Sequence, residues 1–375
     1  MTIKPYQTIG IIGGGQLGRM TALAAKAMGY KIAVLDPNGQ GPCAQVADIV
    51  IEADYGDMQA AKKLAEVSDV ITYEFENIDF PALEWLEKNA YVPQGSKTIQ
   101  TTQHRFREKS AIAAMGIPVA EFALISSAED LDKHVTYPSV LKTTTLGYDG
   151  KGQVVLRSEA DLPKAREQAA AAECILEKFV NFSMEISVMV VRSTTSEVTT
   201  LPVAENIHVN NILHQTIVPA RISPEVEAKA LAAAHKIAEG LNVVGVLGVE
   251  MFVVDGEVVI NELAPRPHNS GHYSMDACVT GQFEQHVRAI CGLPLGDTTL
   301  LTPVVMNNIL GDHLNMNDLT DISRYMPLLK NGKLHLYGKA TAKIGGKMGH
   351  INMLGDIDEC RAALEASGIW QGASS

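Results

Sequence analysis

Little in this chain suits disulfide, membrane or polyanion chemistry, and each shortage removes a class of function. The five cysteines (Cys43, Cys174, Cys278, Cys291 and Cys360) are an odd number with no C-x-x-C pair, so they read as buried or free thiols in a reducing cytoplasm. No apolar run reaches membrane-spanning length, because Asp, Glu or Gly interrupts the longest candidates. The first apolar stretch, Ile9 to Ile12, runs into Gly13 with no cleavage signal behind it, which argues against secretion. A formal charge of −12 argues against a nucleic-acid surface and leaves room only for a local basic pocket around a small phosphorylated ligand. Internal repeats, low-complexity tracts and long charge blocks are missing as well.

What is present is a folded, globular composition, 46% hydrophobic and 20% charged, over 375 residues, enough for two or three domains. Residues 1–103 alternate strand and helix and predict a small doubly wound α/β sheet. Gly13-Gly14-Gly15-Gln16-Leu17-Gly18 fits G-x-G-x-x-G between a strand and an Ala-rich helix, and the next strand ends in Asp36. Backbone N–H groups at such a helix start suit a phosphate or carboxylate. Taken alone, the turn suggests a dinucleotide with Asp36 on a ribose hydroxyl, hence an NAD-dependent oxidoreductase, although nothing downstream supplies a hydride-transfer site. Tyr91 to Pro93 is expected as a last strand. Thr72 to Asn77 follows a parallel strand at the rim where these sheets bind ligands, which makes Glu74 and Glu76 candidates.

Residues 104–297 read as an α+β unit. A capping box is expected at Ser126-x-x-Glu129. Lys142 closes an apolar strand, and Gly147-Tyr148-Asp149-Gly150-Lys151-Gly152-Gln153 follows as a glycine-rich tip with free N–H groups and one cation, suited to phosphate. No Ser or Thr follows Lys151, so this is not a P-loop. Lys142, Glu177 and Glu185 could line a nucleotide cleft, with the backbone of Lys178, Phe179 and Val180 on the base and Glu185 on the ribose. His208, a lone histidine, reads as structural by itself.

The densest chemistry lies between Gly248 and His272. Two β-rich runs flank Asp255-Gly256, a strong hairpin signal. Glu250 and Glu262 stand near the far ends of the two arms, where burial of an unpaired carboxylate calls for a divalent cation or a positive partner. A two-residue loop pairs Glu250 with Asn261 and turns Glu262 to the other face. A three-residue loop shifts the register and lets both acids share a metal, so the metal reading expects that longer loop. Leu263 to His272 then packs Arg266, His268, Asn269, Ser270 and His272 into a loop broken by Pro and Gly, a composition that carries polar contacts more often than packing.

In residues 298–375 an apolar strand precedes a locally basic, glycine-containing stretch from Lys339 to His350 that suits an anion. The order of all these features resembles the ATP-grasp superfamily. Within it, GGGQLGRM at 13–20, YEFEN at 73–77, GYDGKGQ at 147–153, NELAPRPHNSGH at 261–272 and KMGH at 347–350 resemble the N5-carboxyaminoimidazole ribonucleotide synthetases, ATP-dependent carboxylating enzymes of purine biosynthesis. The resemblance implies an N-terminal pre-ATP-grasp domain (1–103), an ATP-grasp domain (104–297) and a small C-terminal domain (298–375). It implies ATP on Arg105, Lys142, Gly147 to Gln153, Glu177 to Val180, Glu185, His208, Asn261 and Glu262, and Mg2+ on Glu250 and Glu262. The imidazole nucleotide falls to Gly15, Gln16, Leu17, Glu76, Arg266, His268, Asn269, Ser270 and Lys347, and bicarbonate with its developing anion to Tyr148, Arg266 and Lys347. A homodimer is implied too. Two features depart from the family pattern: His104 replaces an Asp before Arg105, and Lys343 and Gly346 stand where the basic loop usually carries Arg. Another ATP-grasp carboxylase or ligase is the near alternative.

Overall fold

The computed structural model describes residues 1–76, 78, 80–145, 147, 152–314, 318–319 and 321–369. The first unit runs β1 (Thr8–Ile12), α1 (Gln16–Ala27), β2 (Lys31–Asp36), β3 (Ile49–Glu52), α2 (Met58–Val67), β4 (Val70–Tyr73), α3 (Phe80–Asn89) and α4 (Lys97–Thr102). Its strands form a parallel sheet in the order β3-β2-β1-β4. The central strands are apolar on both faces, as a sheet covered by helices requires: Ile9, Ile11, Ile32 and Val34 pack on one side, and Ile12, Ala33 and Leu35 on the other. Asp57 caps α2 by accepting from the N–H groups of Gln59 and Ala60. Tyr91 to Pro93 is not a strand. Only the Tyr91 carbonyl joins β4, accepting from Ile71 N at 2.9 Å, and Pro93 has no N–H with which to extend a ladder.

Next come α5 (Arg105–Ala114), β5 (Phe122–Ile125), α6 (Ala128–His134), β6 (Ser139–Thr143), β7 (Gln153–Leu156), α7 (Leu162–Ala171) and β8 (Cys174–Lys178). The four strands make an antiparallel sheet ordered β5-β8-β6-β7. The cap of α6 is Ser127, one residue beyond the expected Ser126, and its hydroxyl accepts from Asp130 N.

The rest of the chain builds one large sheet from β9 (Met184–Arg192), β10 (Val198–Thr200), β11 (Ala204–Val209), β12 (Ile212–Val218), β13 (Gly245–Val254), β14 (Glu257–Ala264), β15 (Val304–Leu310), β16 (Gly332–Leu336) and β17 (Lys347–Leu354), with α8 (Pro224–Gly240), α9 (Ser274–Ala277), α10 (Gln282–Ile290) and α11 (Ile357–Ala366) around it. The order is β14-β13-β9-β11-β12-β15-β17-β16, with β10 on β9, so the three C-terminal strands continue the same ladder. Alternation divides its two faces. Ile186, Val188 and Val190 of β9 and Val249, Met251 and Val253 of β13 pack on Val226, Ala230, Ala234 and Ile237, one stripe of α8. Of the intervening residues, Glu185, Glu250 and Phe252 face a cleft. Among the described residues, no helix is long and apolar enough to cross a membrane.

Candidate active site

The hairpin that carries the two acids closes with a two-residue turn, since Val254 pairs with Glu257 and both Asp255 (φ 50°) and Gly256 (φ 76°) are left-handed. The expected three-residue loop is therefore wrong. The register still changes, four pairs further on: Met251 faces Ile260, but Glu250 faces Glu262, with Asn261 as the extra residue of a β-bulge. Both acids consequently project from one face. The buried residues of β14 record the slip, for Val258, Ile260 and Leu263 all join the α8 core.

Helix α5 braces this bulge. Lys109, only 2% exposed, donates to Ile260 O at 3.2 Å, and Glu108 accepts from Leu263 N at 3.3 Å. Pro118 O takes Ile260 N at 2.9 Å. Polar groups of an edge strand are thus satisfied from outside the sheet. Burial, with Glu262 as a like-charged neighbour, pushes the Glu108 carboxyl well above its ordinary range.

Above the acids lies a cleft of about 670 Å³ between the large sheet and the four-stranded one. On the roof, Glu177 Oε2 accepts from Lys142 Nζ at 3.1 Å and lies 3.4 Å from Lys109 Nζ. Burial raises Glu177, but Lys142 and Lys109 together outweigh it and hold the group below the usual carboxylate range. Arg105 reaches Gly147 O at 3.0 Å and stands 3.6 Å from Glu262. On the floor His208 pairs with Glu185 at 2.9 Å and His268 with Glu250 at 3.0 Å. Burial raises Glu250, yet His268, His208 and Lys347 bring it down to about 2. Glu262 moves the other way, raised by its recessed position and by Glu250 against the pull of Arg105, although solvent entering the cleft still reaches 49% of its side chain. Two opposed acids of unequal basicity, one beside the His268 imidazole and the other beside the Arg105 guanidinium, are groups an incoming cation and polyphosphate can take over.

Most of the residues singled out from the sequence converge here. Arg105, Lys142, Gly147, Gly152, Gln153, Glu177, Lys178, Phe179, Val180, Glu185, His208, Glu250, Asn261, Glu262, Arg266, His268, Asn269 and Lys347 all line the cleft. Tyr148, Asp149, Gly150 and Lys151 lie outside the described residues. Glu76 is not in the lining but holds Arg266 at 2.7 Å. Ser270 is fully buried, its hydroxyl held between Ser187 and His268, so that side chain stays below the floor. His272 and His350 are buried with ring centroids 4.8 Å apart, and burial drives both well below the usual imidazole range. Sequence reading missed the Phe182–Phe252 stack (4.4 Å, 4° between planes), which floors one end of the cleft. Its signal was there, since Phe252 stands two residues from Glu250 on the same strand face.

The glycine turn behaves differently. Gly15 N and Gly18 N both donate to the Glu74 carboxylate, and Gly14 N donates to Asp36 Oδ2 at 2.6 Å, which Tyr55 also reaches. A Cβ on Gly18 would sit 2.7 Å from Gly13 O, so that glycine serves close packing. The place a dinucleotide pyrophosphate takes at such a helix end is filled by the chain's own acid, and Asp36 is spent on the turn. The oxidoreductase alternative fails on these contacts. Gly15, Gln16 and Leu17 open the helix beside this carboxylate rather than lining the cleft.

Family models match in order along the chain: a ribonucleotide synthetase preATP-grasp domain over residues 6–103, an ATP-grasp domain over 110–283 and a phosphoribosylaminoimidazole carboxylase C-terminal domain over 304–363. The N5-carboxyaminoimidazole ribonucleotide synthase of Bacillus subtilis (strain 168) is 53% identical over 94% of this chain and 92% of its own. The chain belongs to the N5-carboxyaminoimidazole ribonucleotide synthase family. Among solved members, an N5-carboxyaminoimidazole ribonucleotide synthetase complexed with ADP superposes with a TM-score of 0.95 at 60% identity, covering 98% of both chains. An Aspergillus clavatus N5-carboxyaminoimidazole synthase, in complex with ADP and 5-aminoimidazole ribonucleotide, gives 0.89 at 31% identity over 96% of this chain and 97% of its own. Membership in this synthase family makes the chain an ATP-grasp ligase.

Proposed function

We propose that the chain carboxylates the exocyclic amine of 5-aminoimidazole ribonucleotide, using ATP and bicarbonate, as a step of de novo purine (IMP) biosynthesis. The observation that carries this reading is the bulge at Asn261, which sets Glu250 opposite Glu262 on the cleft face beneath Lys142 and Arg105. No three His, Cys, Asp or Glu gather into a cage among the described residues, and a pair of acids suits Mg2+, which takes one or two carboxylates and completes its shell with phosphate and water. When bound on Glu250 and Glu262, Mg2+ neutralises charge on the terminal phosphates.

The residues divide the work. Arg105, Lys142 and the segment Gly147 to Gln153, including Tyr148, Asp149, Gly150 and Lys151, hold the phosphates. Glu177, Lys178, Phe179 and Val180 meet the base, Glu185 and His208 the ribose, and Asn261 and Glu262 the phosphate end. Bicarbonate oxygen forms a bond to the γ-phosphorus as the bond to ADP breaks, giving carboxyphosphate. The amine then bonds to the carboxyl carbon, inorganic phosphate leaves and the amine gives up a proton. Arg266, Lys347 and Tyr148 hold bicarbonate and the developing anion, and Glu76 orients Arg266. His268 and Asn269 frame the imidazole nucleotide from the cleft, and Gly15, Gln16, Leu17, Glu76 and Ser270, outside its lining, support that binding from behind. The carboxylate of Glu74 at the glycine turn supports only an indirect part for Gly15. We place the domain limits at 1–103, 104–297 and 298–375, and the active form as a cytoplasmic homodimer.

An assay of ADP release tests the function. Release should require both bicarbonate and 5-aminoimidazole ribonucleotide; ADP release indifferent to the two overturns it.

A further inference from the structure

Under the cleft floor a run of hydrogen bonds leads from the interior of the large sheet to Glu250. Ser187 on β9 pairs across the ladder with Glu250, and Asn206 on β11 pairs with Thr216 on β12. Thr216 Oγ1 donates to Asn206 Oδ1 at 3.0 Å, and Asn206 Nδ2 donates to Ser187 Oγ at 2.8 Å. Ser187 Oγ donates to Ser270 Oγ at 2.7 Å, and Ser270 Oγ lies 2.9 Å from His268 Nδ1. His268 Nε2 stands 3.0 Å from Glu250 Oε1. Ser187, Thr216 and Ser270 are fully buried, Asn206 nearly so, and among the described residues Ser187, Asn206 and Thr216 are absent from the cleft lining.

The run has a direction. A hydroxyl has one proton to give, and an amide NH2 only donates. Once Asn206 donates to Ser187, the Ser187 proton goes to Ser270 and the Ser270 proton to His268 Nδ1. The backbone N–H of Ser270, which can only donate, also points at Nδ1, at 3.4 Å. That leaves the imidazole proton on Nε2, facing the carboxylate. With the opposite tautomer a bare nitrogen lone pair would face Glu250, and attraction would become repulsion.

We propose that Ser187, Asn206 and Thr216 are positioning residues for the carboxylation, fixing the tautomer and ring orientation of His268 so that its Nε2–H holds Glu250 toward the nucleotide. This rests on the carboxylase reading for its consequence, but not for its test. Partners one step behind a ligating group orient it and fix the imidazole tautomer, and their loss costs on the order of 10- to 100-fold.

The experiment is 15N NMR of the full-length chain labelled at histidine, with His268 assigned by His268→Gln. It is run at a pH about two units above the ordinary imidazole value near 6.5. The wild type should show a protonated Nε2 and a bare, hydrogen-bonded Nδ1. Asn206→Asp is close to isosteric and exchanges the Nδ2 donor for an acceptor, so Thr216 still donates to it while the bonds from residue 206 through Ser187 and Ser270 to His268 reverse and Nδ1 gains a proton. Its kcat should fall by about 10- to 100-fold. If that variant does not fold, Ser187→Ala cuts the run elsewhere and should give both tautomers. An Nδ1–H tautomer in the wild type, or a His268 signal identical in wild type and all folded variants, overturns the proposal. The NMR readout needs no turnover, so a chain with the expected tautomer but no bicarbonate-dependent ADP release would retire the carboxylase reading alone.

Discussion

Two places in this molecule bring backbone irregularity and carboxylates together, and they use them in opposite ways. At the glycine turn, Glu74 and Asp36 satisfy the N–H groups of Gly14, Gly15 and Gly18, so the acids and the helix end neutralise one another. At the bulge, the irregular backbone is satisfied from behind by Lys109, Glu108 and Pro118, which leaves Glu250 and Glu262 turned to the cleft, beside the His268 imidazole and the Arg105 guanidinium. The first arrangement consumes its charge in holding shape. On the reading proposed above, the second reserves it for a ligand.

The largest expected effect comes from removing that reserve. Glu262→Gln should lower bicarbonate-dependent ADP release by roughly 10³-fold, about 4 kcal/mol of transition-state stabilisation, while thermal stability stays near wild type; an active variant would erase the contrast. Lys109→Met attacks what lies behind the bulge. It deprives Ile260 O of its donor and Glu177 of a buried partner, and should cost about 3 kcal/mol of stability in urea unfolding. Glu74→Ala opens the glycine turn. Two N–H groups lose their acceptor, so a destabilisation of about 1–3 kcal/mol is expected, and inorganic phosphate should now raise the melting temperature of the variant but not of the wild type.

The smallest effect belongs to Glu108→Gln. Burial keeps the Glu108 proton on in the folded chain where the unfolded chain has lost it, so stability contributed by this group falls as pH rises from 4.5 through the raised folded value. The amide carries no such proton. The variant should lie within about 1 kcal/mol of wild type near neutral pH and lose that fall, as read from unfolding midpoints across pH. An unchanged pH profile would mean that Glu108 is ionised at the bulge.

Much of this was legible in the sequence because it is local. The β-α-β start, the Asp255-Gly256 turn and the glycine-rich tip each depend on a few adjacent residues. The bulge is not local: its position is set by side chains of α5, some 150 residues earlier in the chain. It did leave a trace, the break in apolar alternation from Val258 and Ile260 to Leu263. Glu74 was legible as a rim acid but not as the partner of Gly15 and Gly18, because residues 56 and 59 positions apart meet only once the parallel sheet has formed. Ser187, Asn206 and Thr216 looked like ordinary polar interruptions of strands. Their hydrogen bonds exist only when β9, β11 and β12 lie side by side.

The continuity of the large sheet bears on how the chain can be cut. Strands β15, β17 and β16 cover what would otherwise be a free margin along Ile212–Val218, so a fragment ending before Val304 would bare a row of amides and carbonyls to water. Such a truncation should self-associate through that margin rather than persist as a smaller enzyme, and the last seventy or so residues are better understood as the finishing edge of the catalytic platform than as an appendage to it.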